Sequence, residues 1–333
     1  MDMDVNRLTT QGRHVQHRTL RTSFLVACLV LASFALLEIS LRWIVGLGDP
    51  PLYDAHPTIE FLLRPGNYRR FGNRVTVNSA GMRSPEIAIA PKGPSELRIL
   101  VIGDSIVNGG SLTDDDALAT SILARQLGQV VPTTVCNVSA GSWSPGNWLA
   151  YIRERGTFGA AYAVIVLNDG DATDSPTFAP LGPEHPTEKP TFATWEVLVT
   201  YLPRYVPFLR RSPSIAAGQV EPPPRPLDEL ATGVELLRNA GVEVSAVLVP
   251  SETEVSSGLG DGLRRIQSRL GAAGVPSVDA SDSIRDAIAR GQQPFRDGVH
   301  LTEIGQVVLS GCCREALRLA GLDREHRPPT QAP

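Results

Sequence analysis

One short segment of the chain reads Arg98-Ile-Leu-Val-Ile-Gly-Asp-Ser105. Its apolar part, Arg98–Ile102, predicts a buried strand, because unbroken apolar runs are typical of parallel strands that are covered on both faces. The polar part follows at once and places the Ser105 hydroxyl at the carboxyl end of that strand. In open parallel sheets, ligands bind beyond the carboxyl ends of the strands. The segment therefore predicts a sheet with a serine at its edge, although Gly-Asp-Ser alone is also typical of turns and helix caps.

Further apolar runs follow along the chain and alternate with helical segments. Apolar residues three and four positions apart predict amphipathic helices between these runs. The alternation predicts an α/β fold, a three-layer αβα sandwich with a central parallel sheet. The predicted strands are Arg98–Ile102, Thr133–Val138, Ala163–Leu167, Val242–Val249 and Ser277–Val278. The predicted helices are Asp116–Leu127, Asn147–Arg155, residues 227–237, residues 259–270 and Thr302–Leu319.

The composition is that of a globular protein, with 42% hydrophobic and 20% charged residues. The net charge is −4 and no basic stripe follows the N-terminal region, which argues against a nucleic-acid partner. The cysteines predict no disulfide framework, because Cys28 lies in an apolar run and Cys312 adjoins Cys313. Cys136 is expected to be a buried apolar residue. A bridge from Cys136 to the C-terminal helix is the alternative.

An apolar segment near the N-terminus predicts a transmembrane helix. Residues Ser23–Leu37 carry no charge, and a span over residues 23–47 has the length that a bilayer requires. Glu38 and Arg42 lie one helical turn apart, so they can pair near the outer interface. Trp43 suits the same interface.

The charges before this segment predict its orientation. Residues 1–22 contain arginines at positions 7, 13, 18 and 21, so the positive-inside rule keeps the N-terminus in the cytoplasm. The rest of the chain is then expected outside the cytoplasm, as the periplasmic catalytic domain of a single-pass membrane protein. A cleaved signal peptide is the alternative, since its apolar core is also short. No clear cleavage site of small residues follows the apolar run before Glu38, which favours the anchor.

A histidine and an aspartate lie just before the last predicted helix, in Asp297-Gly-Val-His300. A serine hydroxyl is a weak nucleophile until a base accepts its proton, and an imidazole does so near neutral pH. A carboxylate in turn fixes the imidazole tautomer and stabilises the imidazolium. The sequence has six histidines, and the others lie in the N-terminal region, in irregular segments or in the polar tail. Ser105, His300 and Asp297 are therefore the candidate catalytic residues.

Two further residues are candidates for an oxyanion hole. Acyl transfer develops negative charge on a carbonyl oxygen, which preorganised N–H donors stabilise. Gly141 follows the second predicted strand and can offer a backbone amide. Asn168 follows the third and can offer its side-chain amide. Taken singly, each residue is also typical of an ordinary turn.

Taken together, these motifs resemble the SGNH (GDSL-type) serine hydrolase family, whose four blocks supply Ser, Gly, Asn and His in that chain order. The segment Asn78–Arg83 is similar to one that often precedes the first block in exported bacterial members. One departure is Val166, where the family commonly has glycine. The matching motifs are Gly103-Asp104-Ser105, Gly141, Asn168-Asp169 and Asp297-x-x-His300.

The resemblance implies a flavodoxin-like SGNH hydrolase fold that needs no cofactor and no metal. It implies Ser105 as the nucleophile, His300 as the base and Asp297 as the residue that orients His300. It also implies an oxyanion hole formed by the backbone amides of Ser105 and Gly141 and the side chain of Asn168.

An acidic cluster, formed by Asp169, Asp171 and Asp174, lies beside Asn168. A calcium loop would need a further carboxylate at its twelfth position, where this sequence has Pro180. The cluster is therefore interpreted as solvated loop acids.

The remaining segments complete the expected organisation. Residues 175–226 interrupt the alternation of strands and helices and carry Trp195, Tyr201, Tyr205 and Phe208 among arginines. This insertion is interpreted either as a lid or substrate platform, or as a segment packed on the core or against the bilayer. The predicted divisions are a cytoplasmic N-terminus (1–22), a transmembrane anchor (23–47), a juxtamembrane and upstream segment (48–95), a hydrolase domain (96–321) and a polar tail (322–333). Within the juxtamembrane segment, residues 50 to about 70 are expected to be extended.

The predicted activity is that of an exported serine esterase that acts through an acyl-enzyme intermediate. Its substrate is expected to be an O-acyl ester of a cell-envelope glycan or lipid, or a small ester, with acetyl suggested by the compartment alone. One alternative is an O-acyltransferase to a polysaccharide, because it would use the same serine, base and oxyanion hole. A non-catalytic envelope scaffold is the other alternative.

Overall fold

The computed structural model describes residues 3–88, 93, 96–202, 206 and 225–325. The chain divides into two compact units. The first is Met1–Asp49 with Lys189–Arg211, and the second is Pro50–Glu188 with Ser212–Pro333. Residues 203–205 and 207–224 of the predicted insertion, with Tyr205 and Phe208, lie outside the described residues, as do residues 326–333 of the predicted tail.

The elements follow one another along the described residues in this order. The strands are β1 (Tyr53–His56), β2 (Glu60–Leu63), β3 (Gly66–Arg70), β4 (Asn73–Val77), β5 (Leu97–Gly103), β6 (Thr133–Ser139), β7 (Tyr162–Leu167), β8 (Glu243–Leu248) and β9 (Ser277–Asp279). The helices are α1 (Met3–Ser40), α2 (Ser105–Asn108), α3 (Ala119–Leu127), α4 (Pro145–Arg155), α5 (Ala193–Glu196), α6 (Pro226–Asn239), α7 (Glu252–Ser257), α8 (Asp261–Ala272), α9 (Ser281–Ala289), α10 (Glu303–Leu319) and α11 (Leu322–Glu325).

The first unit combines the N-terminal helix with part of the insertion. Helix α1 continues into a π-helical turn, Leu41–Val45, and ends at Gly46, which has a φ of 75°. Within this helix, Arg21–Val45 is long and apolar enough to cross a membrane, with a mean hydropathy of 2.5 and none of its side chains buried. Glu38 and Arg42 form the predicted ion pair, with 2.7 Å between Oε1 and Nε. Helix α5 continues into a second π-helical turn, Val197–Tyr201.

The second unit is built around a parallel sheet. In the described part of the chain, five strands pair in the order β6-β5-β7-β8-β9. Counted along the chain within this sheet, the order is 2-1-3-4-5, which is the flavodoxin-like order of doubly wound folds. The strand order reverses between β5 and β7, so these two strands flank the topological switch point, where such folds bind ligands.

Helices cover both faces of this sheet, because successive residues of each buried strand point to opposite sides. Leu100 and Ile102 contribute to the core on one face, and Ile99 and Val101 to the core on the other. The first core also receives apolar residues from α4, α6 and α8, and the second from α3, α9 and α10. The predicted three-layer αβα architecture is confirmed.

The cysteines are all unbridged. Cys136 lies in the core on one face of the sheet, whereas Cys312 and Cys313 lie in the core on the other face. A bridge from Cys136 to the C-terminal helix is therefore wrong for this fold, because the sheet separates the thiols. Burial raises the pKa of Cys136 to about 12, so this thiol is inert at neutral pH.

Residues 50–77 correct the prediction of an extended segment. Two antiparallel hairpins, β1–β2 and β3–β4, lie there and belong to the second unit. Their apolar side chains, among them Phe61 and Val75, join the same core as α4 and α6. The turn between β3 and β4 has positive φ at both central residues, 51° at Phe71 and 82° at Gly72. Tight hairpins of this kind usually carry Asn-Gly or Asp-Gly, so Phe-Gly gave no recognisable turn signal.

Candidate active site

Ser105 lies directly beyond the carboxyl end of β5. Asp104 caps α2, and its Oδ1 accepts a hydrogen bond from the Ile106 amide at 2.8 Å. The serine is the first residue of that helix, so its side chain is not needed as the cap. Gly103 is required here, because a Cβ at this position would lie 2.6 Å from Val107 Cγ2 and 3.1 Å from the Val166 carbonyl oxygen.

Asp297 and His300 form a tight loop immediately before α10. Asp297 Oδ1 accepts hydrogen bonds from the backbone amides of Val299 and His300, at 2.9 and 2.7 Å. Phe295 and Leu301 pair across the base of the loop in an isolated β-bridge. The loop therefore holds Asp297 beside the imidazole through the local backbone.

The structure brings the three predicted catalytic side chains together in one hydrogen-bonded series. His300 Nε2 lies 3.1 Å from Ser105 Oγ, and His300 Nδ1 lies 2.9 Å from Asp297 Oδ2. The side chains of His300 and Asp297 are 47% and 55% exposed, so this edge of the sheet is open to solvent. Each ring nitrogen thus faces one partner, which is the geometry that a general base between a hydroxyl and a carboxylate needs.

The Asp297 carboxyl remains ionised over the ordinary pH range. Partial burial alone would raise its pKa, but hydrogen bonds from the His300 and Val299 amides and from the His300 ring outweigh this effect and lower the pKa to about 2. An ionised acceptor for the Nδ1 proton is therefore present at neutral and at mildly acidic pH.

Gly141 and Asn168 lie in the loops that follow the two strands beside β5. In the β5–β6 pair, Gly103 lies opposite Ser139, so Gly141 follows two residues after the last paired position. In the β5–β7 pair, Ile102 lies opposite Ile165, and Asn168 follows directly after β7. Both residues therefore lie at the same edge of the sheet as Ser105, and the Asn168 side chain contacts Asp104, the residue before the serine.

The Asn168 side chain is held in one orientation. Its Oδ1 accepts a hydrogen bond from the Gly170 amide at 2.8 Å, and its Nδ2 donates one to Asp104 Oδ2 at 2.9 Å. The same nitrogen carries a second hydrogen that can serve a substrate oxygen. The backbone amide of Asn168 donates to Asp171 Oδ2 at 2.8 Å. Asp104 and Asp171 thus support Asn168, and sequence reasoning missed both roles.

Asp171 corrects the interpretation of the acidic cluster as solvated. This residue is 4% exposed, whereas Asp174 is exposed as predicted. Burial, followed by the nearby charge of Asp104, raises the Asp171 pKa well above its ordinary value. Burial also raises the pKa of Asp104, to about 6.

The third acid of the cluster, Asp169, accepts a hydrogen bond from the Leu263 amide at 3.0 Å and so stabilises the first turn of α8. In the described part of the chain, no group of three or more His, Cys, Asp or Glu side chains is arranged to hold a metal.

Two buried polar side chains connect distant segments to α2 and the loop that follows it. Arg83 donates hydrogen bonds to the carbonyl oxygens of Asn108, Gly110 and Thr113, which follow Ser105 along the chain. Gln306 on α10 donates to the Ile106 carbonyl oxygen at 2.9 Å and accepts from the Ala119 amide at 2.9 Å. Sequence reasoning noted Arg83 only as part of a motif. A glutamine on the core face of an otherwise apolar helix was the available signal for Gln306.

The surroundings of Gly141 include an aromatic cluster. The ring of His185 lies 4.9 Å from that of Tyr53 and 4.4 Å from that of Phe61, between ring centroids. Burial lowers the pKa of His185, although a hydrogen bond with the Gly141 backbone opposes this shift. His185 was predicted only to lie in an irregular segment, so its position beside the second motif comes from the structure.

Comparison with known proteins gives structural relatives only. No protein-family model and no curated protein matches this sequence. Among solved structures, a member of the lipolytic protein G-D-S-L family from Veillonella parvula is similar at 15% identity, covering 67% of this chain and 98% of that one, with a TM-score of 0.39. A lipase/acylhydrolase from Enterococcus faecalis is similar at 12% identity, covering 71% and 100%, with a TM-score of 0.41.

A third relative is a catalytic mutant of an acetylxylan esterase from Geobacillus stearothermophilus, at 16% identity, covering 69% and 97%, with a TM-score of 0.40. This chain resembles the SGNH hydrolases. The strand order and the two helical layers of the chain itself define its α/β architecture.

Proposed function

We propose that this chain is an exported, membrane-anchored serine esterase of the SGNH family. The observation that carries the proposal is the series Ser105–His300–Asp297, with contacts of 3.1 and 2.9 Å, at the switch point of the sheet. The position of Gly141 and Asn168 after the two strands beside β5 supports it, because an acyl-transfer site needs N–H donors near its nucleophile.

In the first half-reaction, Ser105 Oγ attacks the carbonyl carbon of the ester while His300 Nε2 accepts the hydroxyl proton. The amides of Ser105 and Gly141 and the Asn168 side chain stabilise the oxyanion, each worth roughly 3 kcal/mol in comparable sites. His300 then gives the proton to the departing alkoxide, and the C–O bond of the ester breaks. An acyl-Ser105 intermediate and a free alcohol remain.

In the second half-reaction, water attacks the acyl group while His300 accepts its proton. The resulting tetrahedral intermediate collapses and expels Ser105 Oγ, which recovers the proton from His300. Asp297 stabilises the imidazolium in both half-reactions without itself being protonated. A carboxylic acid is released and the free enzyme is restored.

The proposed substrate is an O-acyl ester, with O-acetyl first among the candidates, on a glycan or lipid of the cell envelope. The proposed location follows from Arg21–Val45, which is long and apolar enough to span a bilayer. The arginines in residues 1–22 favour a cytoplasmic N-terminus, which would put the second unit in the periplasm.

The test uses the full chain in detergent micelles with p-nitrophenyl esters of increasing acyl length. We expect Ser105→Ala to lower kcat/KM by about 10⁴–10⁶-fold, since the nucleophile is lost. Ser256→Ala, an exposed serine on α7, is the matched control and should leave the rate unchanged. A serine-directed phosphonate should label Ser105 in the wild type.

Two outcomes would contradict the esterase. If an added polysaccharide receives more acyl groups than water does, the chain is an O-acyltransferase. If the wild type is inert toward every ester and toward the phosphonate, a non-catalytic scaffold replaces the enzyme.

A further inference from the structure

The start of helix α5 is bound to the anchor helix by a carboxylate. Glu38 Oε1 accepts a hydrogen bond from the Ala193 amide at 2.7 Å. Its Oε2 accepts from the amide and the hydroxyl of Thr194, at 3.0 and 2.9 Å. The first turn of a helix has amide groups without helical partners, so an acceptor there stabilises it. Glu38 therefore caps a helix that lies 155 residues away in sequence.

Other contacts extend this connection in both directions. Arg42 pairs with Glu38 and also donates to the Thr191 carbonyl oxygen at 2.8 Å. The Gly48 amide donates to Glu196 Oε2 at 2.7 Å. One helical turn before Glu38, the ring of Phe34 meets that of Phe192 edge to face, with 5.6 Å between centroids. The last turns of the anchor and residues 189–202 thus form one compact unit.

This arrangement explains a carboxylate and a guanidinium in an apolar span. A charged group is costly in a bilayer unless it is paired and hydrogen-bonded. About 20 residues counted from Arg21 reach Leu41, which places Glu38 and Arg42 at the outer edge of the hydrocarbon. Residues 191–196 satisfy both charged groups there.

The outward surface of the same unit is apolar and aromatic. On the anchor, Trp43 is 85% exposed and Ile44 is 79% exposed. On the insertion, Trp195 is 59% exposed, and Phe192 and Leu198 are each 47% exposed. The ring contact between Phe34 and Phe192 connects the exposed side chains of the insertion to those of the span. Tryptophans at such a position are typical of the membrane–water interface.

We propose that residues 189–202 are a membrane-seated extension of the anchor, whose exposed aromatic and aliphatic side chains lie in the outer interface of the bilayer. The occupant of this surface is lipid. The proposal rests on the membrane anchor put forward above, and it assigns this part of the insertion to the membrane in place of a lid. It also requires that the N-terminal helix is kept in the mature protein, because a cleaved helix would leave α5 without Glu38.

The test places a fluorescent probe on the full chain in phosphatidylcholine vesicles. In a Cys28→Ser background the other cysteines are buried, so a thiol probe labels only an added cysteine. Leu198→Cys is the test position, and Val130→Cys, a position in the second unit that is 84% exposed, is the matched control. With nitroxide-labelled lipid we expect severalfold stronger quenching at position 198 than at 130.

A second measurement covers the case in which Leu198→Cys does not fold. Brominated lipid should quench the intrinsic fluorescence of the wild type, and Trp195→Phe should reduce the quenched fraction. Trp143 and Trp148 are buried in the second unit and serve as the unquenched background. Glu38→Ala should abolish quenching at position 198, whereas Glu38→Gln, which keeps one acceptor oxygen, should restore part of it.

Three further measurements distinguish a failure of this inference from a failure of the membrane anchor or of the esterase. Carbonate extraction and intact mass report whether residues 1–47 are retained in the membrane. A retained anchor with an unquenched position 198 overturns the inference and leaves the anchor standing. A mature chain that begins after residue 47 overturns both. Ester hydrolysis, measured on the same samples, reports on the esterase alone.

Discussion

At the scale of single residues, the site depends on carboxylates with different surroundings. Asp297 is half exposed and receives two backbone amides as well as the imidazole, which holds its pKa at about 2. Asp104 and Asp171 lie near each other, and burial raises the pKa values of both. The Asp297 carboxylate is ionised and lies against the imidazole of His300. Asp104 and Asp171 instead accept hydrogen bonds from Asn168.

Replacement of Asp297 by Asn should remove most of the activity without unfolding the chain. The Asn oxygen can still accept the backbone amides, but its NH₂ group then faces His300 Nδ1. The ring would carry its proton on Nε2, where it is unable to accept the Ser105 proton. We expect kcat/KM to fall by about 10³–10⁴-fold, as in other serine triads. Asp282→Asn on α9, at a carboxylate whose side chain is 90% exposed, should leave both the rate and the thermal midpoint unchanged.

Asp171→Asn should change how stability depends on pH. A carboxyl whose folded pKa is raised stabilises the fold below its unfolded pKa, about 3.9, and this contribution is lost as the pH rises through the folded pKa. For Asp104, the folded pKa through which this contribution is lost is about 6. The side-chain oxygen of the introduced asparagine can still accept the hydrogen bond from the Asn168 amide. The variant lacks the acid at position 171, so that only Asp104 of the two neighbouring acids remains to titrate.

The free energy of unfolding of Asp171→Asn, relative to the wild type, should therefore rise between about pH 4 and pH 7. Urea unfolding at the two ends of this range measures it. Asp261→Asn, at an exposed position in the first turn of α8, should show no such trend. A constant difference between Asp171→Asn and the wild type would show that the acid pair does not titrate in this range.

At the scale of elements, buried polar side chains connect segments that arrive from distant parts of the chain. Gln306 joins α10, which follows His300, to the Ile106 carbonyl oxygen, which follows Ser105. The same side chain accepts the first amide of α3. The separation between His300 and Ser105 is therefore fixed by helix packing as well as by the loop at Asp297.

Gln306→Leu should weaken both stability and catalysis. Two buried backbone groups lose their partner, which costs about 1–3 kcal/mol for each unsatisfied group. A small displacement of α10 also moves His300 from Ser105, and we expect kcat to fall about ten- to a hundredfold with a smaller change in KM. Gln292→Leu, at an exposed glutamine before the catalytic loop, is the control. A stable Gln306→Leu enzyme with the wild-type rate would contradict this role.

Among the elements, the buried strands were predictable from the sequence, whereas the hairpins and the tertiary hydrogen bonds were not. The strand Arg98–Ile102 was predicted to within one residue at each end, because a fully apolar run has few other possibilities in an α/β chain. The hairpins at residues 53–77 were missed, since their strands alternate only partly and the Phe71–Gly72 turn lacks the usual residues. The site motifs were found because each follows a strand. The partners of Asn168 were not, because they depend on tertiary packing.

At the scale of the whole molecule, the chain separates into a unit with the sheet and a unit with the anchor. The sheet, both cores and all of the proposed catalytic residues belong to the second unit, Pro50–Glu188 with Ser212–Pro333. Units with their own hydrophobic core are expected to fold independently. If α1 anchors the chain as proposed, α1 and residues 189–202 set the location of the reaction and leave its chemistry unchanged.

A chain without residues 1–49, in which a glycine–serine linker of equal length replaces residues 189–211, should be soluble without detergent. We expect it to hydrolyse p-nitrophenyl acetate within about tenfold of the full chain, because its core is intact. Removal of residues 1–49 alone should give an aggregating protein, since Trp195 and Leu198 stay exposed. Size-exclusion chromatography and the assay distinguish the two. A folded but inactive linker variant would show that the anchor unit contributes to catalysis.

The order of the motifs along the chain has a consequence during export. Ser105, Gly141 and Asn168 follow the first three strands of the sheet, whereas His300 follows the last. If the chain is exported as proposed, the segments nearest the N-terminal helix emerge first, so Ser105 emerges before His300 can lie beside it. Reactivity of Ser105 with a phosphonate would then mark the moment at which the C-terminal layer docks.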